Sequence, residues 1–405
     1  MINTERVVIT GLGAVSGFGI GCNPLWANLS VGHHALYPIQ RKFENHEINT
    51  YAALIPEYIP HKYFNNSTLT LADPFTQYAA IAAREAMQEA DLWVPLKHPE
   101  RCAIILGTGE GGSQTREEAC IKLFHLRKKV HPLTVPRINQ QASASLISAE
   151  YGITGPCFSI SSGCTSAGHA IAQAWLMIKH GIIDIAITGG SEACAQFGLL
   201  CGFDALQVLS KAPCSPFSLE RSGMSLGEGA GVIIIEGLSS ALARKANILA
   251  ELAGVGMTSD ATNSLHPTVN GPVRAMKDAM LNAKLLPIDI GYINAHGTGT
   301  IANDATEASA INIAFDNAPP PVSSTKSLHG HTLGAAAGLE VVVTVLAMKH
   351  QLLPPTANFK NVDPACILDC TPNQPRKYNF KAALSNSFAF GGLNVVIAIK
   401  QFDER

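Results

Sequence analysis

The chain has 405 residues, 47% of them hydrophobic and 15% charged, enough to bury one large core or two similar ones, and this composition excludes a disordered polypeptide. A formal net charge of −2 gives no global attraction for nucleic acid or an anionic membrane, so partner choice rests on local surface. Ten cysteines without a CxxC pair, scattered through apolar segments, do not make the framework of a small secreted disulfide scaffold.

The N-terminal residues reach strand-like sequence at once, without a basic and apolar leader pattern, and no apolar run attains the ~20 residues that span a bilayer. The expectation is a soluble cytoplasmic protein with no membrane insertion and no nucleic-acid partner. A first strand is predicted over 6–10. Gly11-Leu-Gly13-Ala-Val-Ser16 after it reads as a glycine-rich strand-to-loop turn. It lacks the third small residue of a dinucleotide-binding turn, and no acid stands near residue 31, so a nicotinamide cofactor is rejected. A helix is predicted near 76–90 and a strand over 102–106.

The run from Tyr151 to Ile160 precedes Ser161-Ser-Gly-Cys164-Thr-Ser-Ala-Gly168, and apolar residues at helical spacing follow from His169 to Lys179. Small residues thus surround a thiol where a strand turns into a helix. A helix N-terminus favours thiolate over thiol, so a pKa below the usual ~8.5 is expected for Cys164, which is placed as a nucleophile. The other nine cysteines lack this setting.

After a strand at 184–188 the series restarts near residue 240, with strands at 249–256 and 290–294, a helix from about Gly334 to His350, and strands at 382–386 and 395–399. Alternating strands and helices make an α/β protein. Leu106-Gly-Thr-Gly109 echoes His296-Gly-Thr-Gly299, and Leu176-Met-Ile-Lys-His180 echoes Leu346-Ala-Met-Lys-His350. The halves 1–240 and 241–405 therefore read as a duplication that brings two helix N-termini to one central site.

In the second half, Asn294-Ala-His296-Gly-Thr298-Gly-Thr300 leaves a strand end with an imidazole beside two hydroxyls. Ser324-Thr-Lys326-Ser-Leu-His329-Gly-His331 puts another histidine at the mouth of a Gly/Ala-rich helix. Asp304 and Glu307, at i and i+3, suit either a solvated helix face or a pair in which Glu307 holds Lys326 and Asp304 orders a loop. Ser387-Phe388-Ala-Phe390-Gly-Gly392 places two aromatics before a hinge, as core or as a lid whose Phe390 N–H faces an oxyanion. No ligand pair has the usual zinc spacing, so no metal is expected.

Together with Gly223-Met-Ser-Leu-Gly-Glu-Gly-Ala-Gly231, these segments make the whole chain resemble the elongating β-ketoacyl-[acyl carrier protein] synthases, in family order. The resemblance implies a thiolase-like fold of two duplicated halves in five layers (αβαβα) and a dimer. It makes Cys164 the nucleophile, His296 and His331 the paired histidines, Lys326 the buried lysine and Glu307 its acidic partner. Phe390, with Phe388 nearby, becomes the gate, and Thr298 and Thr300 the hydroxyls that receive the malonyl group. The backbone N–H groups of Cys164 and Phe390 become the oxyanion hole.

The implied reaction is decarboxylative condensation of a Cys164-bound acyl chain with malonyl-carrier protein, with phosphopantetheine supplied by the carrier protein and no other cofactor. The acidic carrier implies a basic patch, for which His125, Arg127, Lys128, Lys129, His131 and Arg137 are candidates. Gly163, Ser218, Ala389 and Leu393 depart from the usual family residues, and 259–267 lacks the His-Met-Thr-like run of a second gating loop. Departures at the gate point to a specialised substrate, such as a polyene or polyketide-like chain. The alternatives are the catalytic subunit of a heterodimer with a chain-length subunit, a non-catalytic subunit of that kind, and a degradative thiolase. The second would lack Cys164, and the third would carry a second cysteine in place of Phe388–Gly392.

Overall fold

The computed structural model describes residues 5–262 and 266–404. Asn263, Ser264 and Leu265, part of the 259–267 departure, lie outside the described residues, as does the start of the chain at Met1–Thr4.

Ten strands form one continuous path. In chain order they are β1 (Val7–Ser16), β2 (Cys102–Gly107), β3 (Cys157–Ile160), β4 (Ile185–Glu192), β5 (Gly229–Gly237), β6 (Ala250–Ser259), β7 (Tyr292–Asn294), β8 (Val322–Ser323), β9 (Ala382–Ala389) and β10 (Leu393–Lys400). The path runs β3-β2-β4-β5-β1 and continues β6-β10-β9-β7-β8. Counted from each edge the halves repeat strand for strand. β2 is parallel to β3 and β4, as β7 is to β8 and β9, and the remaining neighbours within each half are antiparallel.

Six helices complete the repeat: α1 (Pro74–Glu89), α2 (Ala142–Tyr151), α3 (Ser166–Lys179), α4 (Asn270–Ala283), α5 (Ile301–Ala314) and α6 (Ala336–His350). α1 and α2 cover the outside of the first sheet, α4 and α5 the outside of the second, and α3 and α6 lie between the sheets, which makes five layers. This central position explains the composition of α6. All its residues up to Met348 are buried, as expected of a helix apolar on every side. Leu333–His350 is apolar and long enough to cross a bilayer by composition, but it is a core helix.

β1 and β6 pair only at Val8/Glu251 and Ile9/Ala250, and then the sheets diverge. Beyond the divergence the amides of Leu12 and Ala14 donate to Glu89 (2.7 Å) and Glu85 (2.8 Å) of α1, so helix carboxylates take the place of a neighbouring strand. This needs α1 close to β1, and Gly11 and Gly13 permit it. A Cβ at these positions would lie 2.1 Å from Ala86 O and 1.9 Å from Ala82 O. Gly254 and Gly256 do the same for β6 and α4, where a Cβ would lie 2.4 Å from Ala279 O and 1.9 Å from Ala275 O. The Gly11-Leu-Gly13 segment is therefore the interior of a strand, and the expectation of a strand-to-loop turn is corrected. Its glycines serve helix–sheet contact.

Candidate active site

Cys164 stands in the turn between β3 and α3, two residues before the first helical residue. Gly163 holds a left-handed conformation (φ 62°) that points the next residue out of the strand direction. Hydroxyls fasten the turn: Ser166 Oγ donates to Gly163 O (2.6 Å), the Ser162 amide donates to Ser166 Oγ (2.9 Å), and Thr165 Oγ1 donates to Ser162 O (2.7 Å). The small polar residues around the cysteine thus build its platform.

His331 reaches this platform from the other half, with Nε2 3.1 Å from Cys164 Sγ. Its backbone is clamped by the Gly223–Gly231 segment, donating to Ser225 O (2.8 Å) and accepting from the Gly227 amide (2.9 Å). The His296 ring lies 5.4 Å from the His331 ring at an interplanar angle of 85° and 5.8 Å from Phe388. Cys164, His296, His331, Thr298, Thr300, Phe388 and Phe390 all line one cavity of about 260 Å³. Thr298 Oγ1 and Thr300 Oγ1 are 2.9 Å apart. Phe388 is buried at the end of β9, whereas Phe390 is 47% exposed and precedes Gly391 and Gly392, both left-handed (φ 91° and 73°).

The acids are arranged differently from the expectation. Lys326 Nζ is fully buried and pairs with Glu340 of α6, not with Glu307. Glu307 accepts instead from the amides of His296 (2.8 Å) and Gly297 (2.7 Å) and from Asn386 Nδ2 (3.2 Å). The Glu307–Lys326 pair is thus corrected: Glu307 braces the His296 loop, and Glu340 neutralises the lysine. A lone acid inside an otherwise apolar helix was the signal for Glu340. Asp304 orders a loop by accepting from Phe217 N (2.8 Å) and Gly299 N (3.2 Å).

Electrostatics also depart from the sequence reading. Burial pushes the Cys164 thiol up to about 12, with Lys326 opposing and Glu192 adding to the rise. Burial outweighs the helix N-terminus, which corrects the expected lowering. Burial and the Lys326 ammonium hold both His296 and His331 well below the usual imidazole range, so both rings are neutral. Nδ1 of each ring is buried with no hydrogen-bond partner among the described residues. A proton there would lack an acceptor, so Nε2–H toward the cavity is the favoured tautomer.

The donor atoms of Cys164, His296 and His331 lie within 4.8 Å of one another, a set that could gather around a soft cation. Metal-binding histidines usually anchor the second ring nitrogen on a carboxylate or carbonyl, and neither ring here has that support. The basic candidates between His125 and Arg137 do not line the cavity. His125 instead faces Glu44 at 3.2 Å. Exposed Arg274 and Lys277 are closer in chain to it, on α4, whose Pro272 forms part of the wall.

The family model for the β-ketoacyl synthase N-terminal domain matches residues 4–241, and that for its C-terminal domain matches residues 249–360. The chain is 39% identical over 400 residues to Nodulation protein E of Rhizobium sp. (strain N33), covering 98% of this chain and 99% of that one. It is 36% identical over 414 residues to the 3-oxoacyl-[acyl-carrier-protein] synthase 2 of Staphylococcus aureus (strain COL), with both chains fully covered. Among solved structures, the ishigamide ketosynthase/chain length factor superposes with a TM-score of 0.94 at 31% identity, covering 99% of this chain and 100% of that one. With its repeated thiolase-like halves and a cysteine facing two histidines, the chain belongs to the β-ketoacyl synthase family.

Proposed function

We propose that the protein is a β-ketoacyl-[acyl carrier protein] synthase that lengthens an acyl chain by two carbons, and the observation that carries this is Cys164 Sγ 3.1 Å from a neutral His331, beside a neutral His296 in the same cavity. In the first half-reaction Cys164 sulfur attacks the thioester carbonyl of an acyl group on phosphopantetheine. Backbone N–H groups of Cys164 and Phe390 hold the oxyanion, the bond to the pantetheine sulfur breaks, and the thiol proton passes to that sulfur.

In the second, malonyl-carrier protein enters beside Thr298 and Thr300. Its carboxylate leaves as CO2, and the electron pair forms an enolate whose oxygen accepts from Nε2–H of His296 and His331. Donors of this kind contribute about 10²- to 10³-fold each. The enolate carbon attacks the acyl-Cys164 carbonyl, the C–S bond breaks, and the released thiolate takes up one proton. Burial, with Lys326 adding to it, keeps the two histidines uncharged, and the neutral rings donate from Nε2.

The pantetheine arm arrives on the carrier protein, and the reaction uses no metal or organic cofactor. The working unit is a homodimer or a heterodimer with a chain-length subunit, and the likeness to a ketosynthase/chain length factor supports the second. The free edge strand β3 and exposed Leu123, Phe124, Leu126 and Val135 offer a face for such a subunit. A cytoplasmic location belongs to the same reading. Gly163, Ala389 and Leu393 at the nucleophile and gate support a specialised, polyene- or polyketide-like substrate.

Incubation with a panel of acyl-carrier proteins, followed by intact mass, tests this reading. Acylation that Cys164→Ala abolishes, then a two-carbon extension with malonyl-carrier protein, is expected. Absence of transfer from every donor, with a co-purified homologous subunit present, would sink the catalytic reading. Better elongation of saturated medium chains than of unsaturated or aryl ones would overturn the substrate class.

A further inference from the structure

One fully buried acid near the site takes no part in the steps above. Glu192, the last residue of β4, accepts from Gly109 N (2.7 Å), Glu110 N (3.1 Å) and Thr108 Oγ1 (3.1 Å) of the loop after β2. The same carboxylate accepts from Gly334 N (3.0 Å), three residues after His331. It therefore joins a loop of the first half to the mouth of α6 in the second.

The strand end just before that loop is the seat of the nucleophile. A Cβ on Gly107 would lie 2.2 Å from Ala167 N, so the first turn of α3 rests on the end of β2. A Cβ on Gly334 would lie 2.1 Å from Gly109 N and 2.7 Å from Glu192 Oε2, so the mouth of α6 rests on the adjoining residues. Both helix mouths, one carrying Cys164 and one following His331, sit on the three consecutive residues Gly107, Thr108 and Gly109, and Glu192 pins that segment and Gly334 together.

The turn it holds is strained. Leu333 is buried and left-handed (φ 43°) without being glycine, a conformation that persists only where surroundings impose it. Its side chain packs in the apolar cluster that also contacts Cys164. Three convergent N–H groups form a nest that suits a carboxylate oxygen better than an amide, which would turn a donor toward donors.

We infer that Glu192 is a positioning residue, which fixes the separation of Cys164 and His331 by pinning the Leu333–Gly334 turn to the Thr108–Glu110 loop. This inference rests on the ketosynthase reading for its kinetic consequence, though not for its geometry. A misplacement near 1 Å costs about 100-fold in rate, so Glu192→Gln should lower the kcat of condensation by about that factor while the KM for malonyl-carrier protein stays within about two-fold.

The test assays the wild type and Glu192→Gln as full-length protein, with any partner subunit, for condensation kinetics and thermal melting. A crystal structure of the variant reads the Cys164–His331 distance. The expected result is a kcat loss with a cooperative melt and a sulfur–nitrogen separation beyond hydrogen-bonding reach. A kcat within two-fold of wild type, or a separation still at 3.1 Å, overturns the inference. Should Glu192→Gln not fold, Thr108→Val removes one of the four bonds at nearly constant shape, together with the bond Thr108 Oγ1 accepts from Gly111 N (3.1 Å). It should then show the same kcat-only loss at about ten-fold, and a parallel fall in melting temperature and rate with no such split overturns it. An inactive wild type would instead count against the functional reading, and the crystallographic distance still decides the role of Glu192.

Discussion

At the scale of residues, the site consists of neutral groups held neutral by their surroundings. A thiol raised to about 12 carries little charge near pH 7, so the rate of Cys164 alkylation by iodoacetamide should climb steadily from pH 6 to 10. A plateau below pH 8 would show that the helix N-terminus outweighs burial. Lys326 and Glu340 form a buried pair, and Lys326→Met leaves the carboxylate uncompensated. A stability loss of about 3 to 5 kcal/mol is expected, measured by chemical denaturation, with much of it recovered in Lys326→Met/Glu340→Leu. Burial is the larger cause of the depressed imidazoles, loss of the ammonium removes the second, and the sign follows. Their pKa values rise, protonation begins at higher pH, and the acid limb of the double variant's kcat profile should move upward from that of the wild type. An unmoved limb would mean that burial alone keeps the rings neutral.

At the scale of elements, glycines at strand centres decide how closely helices approach. Gly13→Val should cost about 3 kcal/mol in urea denaturation, because its side chain displaces α1 and strips the Leu12 and Ala14 amides of Glu89 and Glu85. Gly256→Val should behave alike in the other half, and a cost below about 1 kcal/mol for either would refute the close-contact explanation. The gate is the opposite case. Phe388 is fixed in β9 beside His296, and the left-handed Gly391 and Gly392 place the freedom on the Phe390 side. Strand and helix positions were legible in the apolar spacing. The direction of Gly11-Leu-Gly13 was not, since two glycines look alike in a turn and in a strand pressed against a helix.

At the scale of the whole molecule, the repeat is visible as one strand order traced twice, and it places α3 and α6 mouth to mouth between the sheets. The exposed apolar residues from Leu123 to Val135 lie outside that repeat. Leu123→Glu/Phe124→Glu should convert a dimeric assembly to monomer in native mass spectrometry, with the far-ultraviolet spectrum unchanged. A dimer that persists would place the subunit contact elsewhere.

The sequence by itself singled out the thiol and the two imidazoles that meet in one cavity, and the order of the elements. A thiol among small residues, two histidines at strand and helix ends, and apolar periodicity are local signals, readable within a few residues of one another. Only the tertiary structure decided which acid meets Lys326, what Glu192 joins, and whether the Cys164 thiol rises or falls. Lys326 meets Glu340, 14 residues away, and not the similarly near Glu307, while Glu192 joins loops that lie before and after it in the chain, and both pairings depend on how two sheets and two central helices pack. The protonation of a buried group depends on how much water that packing removes, which no stretch of sequence carries alone.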